Sequence, residues 1–90
     1  MLFAFDSDRS DPFWNDGTLI PLDVGFYDAA GTLIDVFDLP SLTETRGQIR
    51  TTPRPRRPYR HVLEANRGWF MANGLRPGSA LPRLIFSWIR

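Results

Sequence analysis

The sequence predicts a mainly β (α+β) domain, built as a small antiparallel sheet or a partly open barrel of roughly five to six strands with one short helix. Three observations favour this fold class. Apolar and polar residues alternate along TLIDVFDLP at 32–40, which is the period of a strand. Turn sequences recur at short intervals, such as NDG at 15–17 and DAAG at 28–31. Only NRGWFMANG at 66–74 has helical features.

Strand-like runs cover most of the chain. TLIPLDVGFYD at 18–28 is the longest, and Pro21 within it lacks an N–H group, so this strand lies at a sheet edge or bulges there. The DAAG turn joins it to 32–40 as a predicted hairpin. The remaining strand-like runs are 2–6, 13–14, 59–65 and 80–90.

The predicted helix has a signal at each end. Asn66 is of a type that caps helix N-termini, and Gly74 stands where a left-handed glycine commonly ends a helix. Trp69 and Phe70 are the large apolar residues between them, and we expect these rings to pin the helix to the sheet.

Length and composition indicate a single compact domain spanning 1–90. The chain has no cysteine, which excludes a disulfide or thiolate metal site. Its first residues, MLFAFDSDRSD, lack the basic start of a secretory signal, so a cytoplasmic location is favoured. No apolar run approaches the ~20 residues of a membrane span, so we predict no membrane association.

The charges divide the chain in two. The acidic half, residues 1–44, holds nine acids and one base, whereas the basic half, residues 45–90, holds ten arginines and one acid, Glu64. Such asymmetry indicates either a surface for nucleic acid or another acidic partner, or two halves that pair across the fold. The sequence leaves both alternatives open.

The densest basic feature is a long Arg/Pro-rich loop at 41–58, called the Arg/Pro loop below. Prolines hold its end extended, and arginine binds phosphate and carboxylate in bidentate fashion. The loop is therefore a candidate docking segment for an acidic partner, with a solvated or folded-back loop as the alternative. Its candidate binding residues, with those that follow it, are Arg54, Arg56, Arg57, Tyr59 and Arg60.

Other candidate chemistry is sparse. Asp23 and Asp28 are candidate acid–base residues for an enzyme acting on a small polar substrate, although a strand aspartate and a turn aspartate more often make structural hydrogen bonds. Trp14 is a candidate ligand-binding residue, with a core role as the alternative. His61 is the only histidine, so a metal site is not expected, and no cofactor is predicted.

Two stretches of the sequence carry a family resemblance. FWNDGTLIPLDVGFYDAAGTLID and YRHVLEANRGWFMANGLRPGSAL resemble the two signatures of the bacterial and archaeal domain of unknown function 192, and MLFAF resembles that family's Met-Leu-Phe-x-Phe strand. The first stretch matches at Phe13, Trp14, Thr18, Ile20, Pro21, Leu22, Asp23, Asp28 and Gly31. The second matches at Val62, Leu63, Glu64, Asn66, Gly68, Trp69, Gly74 and Gly78.

The resemblance implies a compact β-rich domain with no established activity. The family's Met-basic-Asn turn is Asn15-Asp16-Gly17 here, so its basic residue is absent. Domains of the family usually begin earlier, with a strand and a short helix, and we therefore expect an open sheet edge in this chain.

These observations together predict a small, non-enzymatic binding or protein-interaction module. Its expected partner is a protein, or a second copy of the chain, paired to the open sheet edge. Two alternatives remain: nucleic-acid, nucleotide or anion binding through the Arg/Pro loop, and an enzyme acting on a small polar substrate. The candidate binding residues are Trp14, Asp23, Arg54, Arg56, Arg57, Tyr59 and Arg60.

Overall fold

The computed structural model describes residues 1–82 and confirms the mainly β class. Four strands form one antiparallel sheet in the order β1-β4-β2-β3, and one short helix follows β4. The elements are β1 (Leu2–Arg9), β2 (Leu22–Tyr27), β3 (Leu33–Leu39), β4 (Tyr59–Asn66) and α1 (Trp69–Ala72). Within the described residues, no helix is long and apolar enough to span a membrane.

The strand count is lower than the predicted five to six. The extended piece at 13–14 forms only an isolated bridge, between Trp14 and Thr51. Of the predicted strand at 80–90, Ala80 forms an isolated bridge with Thr32, and residues 83–90 lie outside the described part of the chain. The strand predicted at 18–28 begins only at Leu22, directly after Pro21.

The predicted hairpin of β2 and β3 is confirmed. The Asp28 carboxylate accepts the N–H groups of Ala30 and Thr32, both at 3.0 Å, and Gly31 turns the chain with φ +81°. The pKa of Asp28 is lowered, mainly by the hydrogen bond from the Thr32 N–H, although burial acts in the opposite direction. Arg57, which pairs with Asp28, and the Ala30 N–H lower this pKa further. Asp28 is thus used to hold its own turn.

The helix differs from its prediction at the N-terminus. Asn66 is not a cap, because it still pairs with Leu22 as the last residue of β4. The chain turns instead at Gly68, where φ is +88°, and α1 is only four residues long. The C-terminal prediction is confirmed: Gly74 has φ +67° and ends the helical turn.

Each face of the sheet carries its own apolar cluster, because successive strand residues point to opposite sides. The loop face lies under Phe13 and the segment after it, and the helix face lies under α1. The loop-face cluster is Val24, Phe26, Ile34, Leu39, Tyr59 and Val62. The helix-face cluster is Tyr27, Leu33, Leu63, Phe70 and Leu81.

The Arg/Pro loop begins with an ordered turn that the sequence analysis did not predict. The Ser41 hydroxyl accepts the Glu44 N–H at 3.2 Å, and the Glu44 carboxylate accepts the Ser41 N–H at 3.0 Å, which is a capping box. The turn ends after one cycle, at Arg46 and Gly47, both of which have positive φ. This turn fixes the loop's departure from β3.

Candidate functional site

Two arginines of the Arg/Pro loop fold back onto the β2–β3 hairpin. The Arg56 guanidinium pairs with Asp35 at 3.3 Å and donates to the Ile34 carbonyl at 2.8 Å. The backbone N–H of Arg56 also donates to the Asp35 carboxylate at 3.0 Å. Arg57 pairs with Asp28 at 3.2 Å. The densest basic stretch is therefore bound to carboxylates of the acidic half.

Two further arginines of the basic half join it to the acidic half. Arg60 pairs with Asp8 at 3.1 Å. Arg67 bridges Asp38 at 2.6 Å and Glu44 at 2.8 Å, and its hydrogen bonds lower the pKa of Glu44 and raise its own. Of the six ion pairs within residues 1–82, five join the acidic half to the basic half. The charge asymmetry of the sequence thus folds into pairs on the rim.

The remaining candidate residues of this region behave differently. Arg54 donates to the Ser10 carbonyl at 3.5 Å and has no carboxylate partner within residues 1–82. Tyr59 is fully buried, packs its ring 4.8 Å from that of Phe26, and donates its hydroxyl to the Asp11 carbonyl at 2.8 Å. Burial raises the pKa of this hydroxyl. Tyr59 is therefore a core residue with no exposed surface for a ligand.

Asp23 and Asp28, the two candidate acid–base residues, do not converge. They lie five residues apart on and just after β2, which at about 3.3 Å per residue separates them by roughly 16 Å. The Asp23 carboxylate accepts the Gly68 N–H at 2.9 Å, ahead of α1. Within the described residues, no group of three or more His, Cys, Asp or Glu side chains could hold a metal ion.

Most of the exposed large apolar side chains within residues 1–82 surround a hollow of about 600 Å³ at one end of the sheet, called the Trp14 hollow below. Four exposed large apolar side chains line it: Met1 (75% exposed), Trp14 (63%), Leu19 (82%) and Ile20 (54%). Isolated exposed apolar residues are common on proteins, but a cluster of this kind marks interaction surfaces. The structure thus places Trp14 at a surface site and not in the core.

The outer wall of the Trp14 hollow is residues 14–20, and Asn15 anchors it. The Asn15 side chain is fully buried; its oxygen accepts the Arg50 N–H at 2.7 Å, and its amide donates to the Pro40 carbonyl at 3.1 Å. Because Asn15 points inward, its neighbour Trp14 points outward. In the sequence, NDG at 15–17 indicates only a turn, so this anchoring role of Asn15 was not predicted.

The floor of the hollow contains a carboxylate that the sequence analysis did not propose as a site. Glu64 of β4 lies opposite Val24 of β2, exchanges backbone hydrogen bonds with Met1 on its other side, and is half-buried. Burial raises the pKa of Glu64, with the N-terminal ammonium of Met1 acting in the opposite direction. Within residues 1–82, its carboxylate has no hydrogen-bond partner. In YRHVLEA, Glu64 is two residues after Val62, so strand alternation places both side chains on the same face of the sheet. This was the signal in the sequence that could have identified Glu64.

The hollow reaches the first half of β1 at Met1 and Phe3, and the outer edge of β1 pairs with no further strand among the described residues. Met1 and Glu64 exchange backbone hydrogen bonds. Because hydrogen-bonding residues alternate along an antiparallel strand, the backbone N–H and C=O groups of Phe3 also point toward β4, whereas those of Leu2 and Ala4 point outward. The second half of β1 is protected by an irregularity between Ala4 and Arg9 and by acidic side chains, but 2–4 has neither. The open edge is therefore the part next to the hollow.

The comparisons with known proteins identify a family. The family model of domain of unknown function 192 (DUF192), described as an uncharacterized ACR family, matches residues 1–82. The chain belongs to the DUF192 family. Comparison with curated proteins and with solved structures finds no match.

In this DUF192 domain, the two stretches that carry the family resemblance meet at the Trp14 hollow. The first contributes the wall and the second contributes the floor. The wall and floor residues from these stretches are Trp14, Thr18, Ile20, Leu22, Glu64 and Asn66. Residues of both stretches therefore line this hollow, and its four exposed large apolar side chains make it the best-supported candidate site of the domain.

Proposed function

We propose that this DUF192 domain is a small, non-enzymatic protein-interaction module that binds an extended segment of a partner protein. The segment pairs with the open edge at 2–4 and places apolar side chains in the Trp14 hollow. The clustering of exposed apolar side chains beside the unprotected half of an edge strand carries this proposal. Such surfaces otherwise favour aggregation, so a partner that covers them is expected.

Charge defines the partner further. Within residues 1–82, two carboxylates line the hollow, Asp16 on the rim and Glu64 on the floor, and the N-terminal ammonium of Met1 is the only other charged group. A segment that alternates apolar residues with lysine or arginine complements this surface, because a basic side chain neutralises the half-buried Glu64 carboxylate. An acidic segment would add repulsion at the same place.

The energetics predict weak binding. Covering the exposed fractions of Trp14, Leu19 and Ile20 contributes roughly 4 kcal/mol at the usual value for apolar burial. Association itself costs about 4 kcal/mol or more, so the backbone pairing at 2–4 and the charge contact must supply the net affinity. We therefore expect dissociation constants of about 1 μM to 1 mM.

Selection from a random peptide library displayed on phage tests the proposal. Ala4→Pro removes one outward N–H of β1 but keeps the bonds that Phe3 makes to β4, so it blocks the edge without unpairing the sheet. Ala4→Ser, at the same exposed position, is the matched control that keeps the N–H. Thermal unfolding followed by circular dichroism verifies that both variants fold.

We expect enriched peptides with alternating apolar and basic residues that bind wild type and Ala4→Ser but lose at least tenfold in affinity for Ala4→Pro. Peptides that bind all three proteins equally, or no enrichment at all, would overturn the proposal. A concentration-dependent dimer in light scattering that Ala4→Pro abolishes would assign the edge to a second copy of the chain instead of a different partner.

A further inference from the structure

A second cavity, of about 490 Å³, lies on the helix face of the sheet, away from the Trp14 hollow. Its size falls within the range of small-molecule sites, about 300–1,000 Å³. The sheet provides one side, and α1 with the turn after it provides the other. Its lining includes Asp23, Val36, Phe70, Leu75, Arg76 and Pro77.

The apolar floor of this cavity is rigidly held. The Phe70 ring is buried against the sheet at Gly25, where even a methyl group would lie 2.5 Å from the ring. The Leu75 N–H donates to the Phe70 carbonyl at 2.9 Å, which fixes the turn that follows α1. This floor therefore offers an apolar surface for an aliphatic or aromatic group.

Two opposite charges line the cavity without contacting each other. The Asp23 carboxylate is oriented by the Gly68 N–H at 2.9 Å through one oxygen, and its other oxygen has no hydrogen-bond partner within residues 1–82. The backbone of Arg76 is held by Ser79, whose hydroxyl accepts its N–H at 3.0 Å. The Arg76 guanidinium forms no ion pair within residues 1–82, in contrast to Arg56, Arg57, Arg60 and Arg67.

We propose that this cavity binds a small apolar zwitterion, such as a free α-amino acid with an aliphatic side chain. Asp23 receives the ammonium group, Arg76 receives the carboxylate, and the side chain lies on Val36, Phe70 and Leu75. A carboxylate and a guanidinium on one small cavity match the two charges of an amino acid, and arginine is suited to bind the carboxylate through two hydrogen bonds. The site is independent of the Trp14 hollow and of its proposed partner.

Three probes that differ by one charge each test the proposal: L-leucine, N-acetyl-L-leucine without the ammonium, and L-leucinamide without the carboxylate. Titration of the ¹⁵N-labelled full chain with each probe is followed by NMR. We expect L-leucine to shift the amide resonances of Phe70 and Leu75 in a saturable manner, and each analogue to bind at least tenfold more weakly.

Variants assign the charges. Asp23→Asn keeps an oxygen that can accept the Gly68 N–H, and Arg76→Gln keeps a polar side chain, so both are expected to fold. Arg46→Gln is the control, since Arg46 is another exposed arginine without an ion pair within residues 1–82 but lies outside the cavity. We expect tenfold weaker L-leucine binding in the first two variants and a change of less than twofold in the control.

Three results would overturn the assignment: no shift at Phe70 and Leu75 with 10 mM L-leucine, binding of either analogue as tight as that of L-leucine, or equal binding of L-leucine by Asp23→Asn and Arg46→Gln. Circular dichroism melts of each variant show that a loss of binding does not come from unfolding.

Discussion

Replacing Asn15 with alanine tests how the wall of the Trp14 hollow is held. The substitution removes the bonds of the Asn15 side chain to Arg50 and Pro40, at 2.7 and 3.1 Å. Each bond contributes about 1 kcal/mol net, and each backbone group left without its partner costs about 1–3 kcal/mol if water cannot reach it. Because both groups are only partly buried, we expect a total loss of about 3 kcal/mol in the free energy of unfolding. In a domain of this size that lowers Tm by roughly 12–24 °C.

Urea unfolding followed by tryptophan fluorescence and circular dichroism measures the loss. Asp16→Ala is the matched control, because Asp16 is the adjacent residue but is exposed, and we expect a change within about 0.5 kcal/mol. Peptides selected against the wild-type protein should also bind Asn15→Ala more weakly, since the wall loses its anchor. A destabilisation below about 0.5 kcal/mol for Asn15→Ala would refute the anchoring argument.

Three further predictions concern the sheet and its charges. Gly25→Ala brings a methyl group 2.5 Å from the Phe70 ring, so urea unfolding should show a loss of about 1–3 kcal/mol, and an unchanged midpoint would contradict the packing argument. Glu44→Gln should destabilise the domain above about pH 5 but not at pH 2. Arg67 lowers the folded-state pKa of Glu44, so the stability that the ion pair contributes disappears as the pH falls through that pKa. Addition of 1 M NaCl should reduce the difference in stability between the variant and wild type. Glu64→Gln should stabilise the domain at pH 7 but not below about pH 4. Burial raises the pKa of Glu64 in the folded state, so the wild-type protein loses stability as the pH rises from the unfolded-state pKa to the folded-state pKa of this carboxyl, and the variant does not. A loss of stability at pH 7 for this last variant would show that the carboxylate has a favourable partner.

The sequence predicted those parts of the fold that depend on local signals. The β2–β3 hairpin was predicted from an Asp-x-x-Gly turn, in which the Asp28 side chain accepts N–H groups of the turn. The end of α1 was predicted from Gly74, which has positive φ. The start of α1 was predicted wrongly at Asn66, because pairing with Leu22 in the sheet overrides the local capping preference. Within residues 1–82, fewer strands form than predicted because 13–14 forms only one bridge, a tertiary outcome that a short apolar run does not reveal.

The candidate site depends on contacts between distant parts of the chain, which explains why the sequence defined it poorly. Asn15 is bonded to residues 25 and 35 positions away, and no local pattern indicates such partners. The charge asymmetry was visible, but whether the arginines face a partner or the acidic half depends on pairs such as Arg56–Asp35. The alternation of residues along β4 predicts which face of the sheet Glu64 is on. It does not predict that residues 14–20 fold over that face and form a hollow around the carboxylate.

Isotope-filtered NMR of the labelled domain with a selected, unlabelled peptide tests the central claim most directly, since it identifies the surface that the partner contacts. We predict intermolecular NOEs from the peptide to Leu2, Ala4 and the Trp14 ring. NOEs confined to the Arg/Pro loop, with none at β1 or Trp14, would contradict the claim that the edge of β1 and the Trp14 hollow form the binding site.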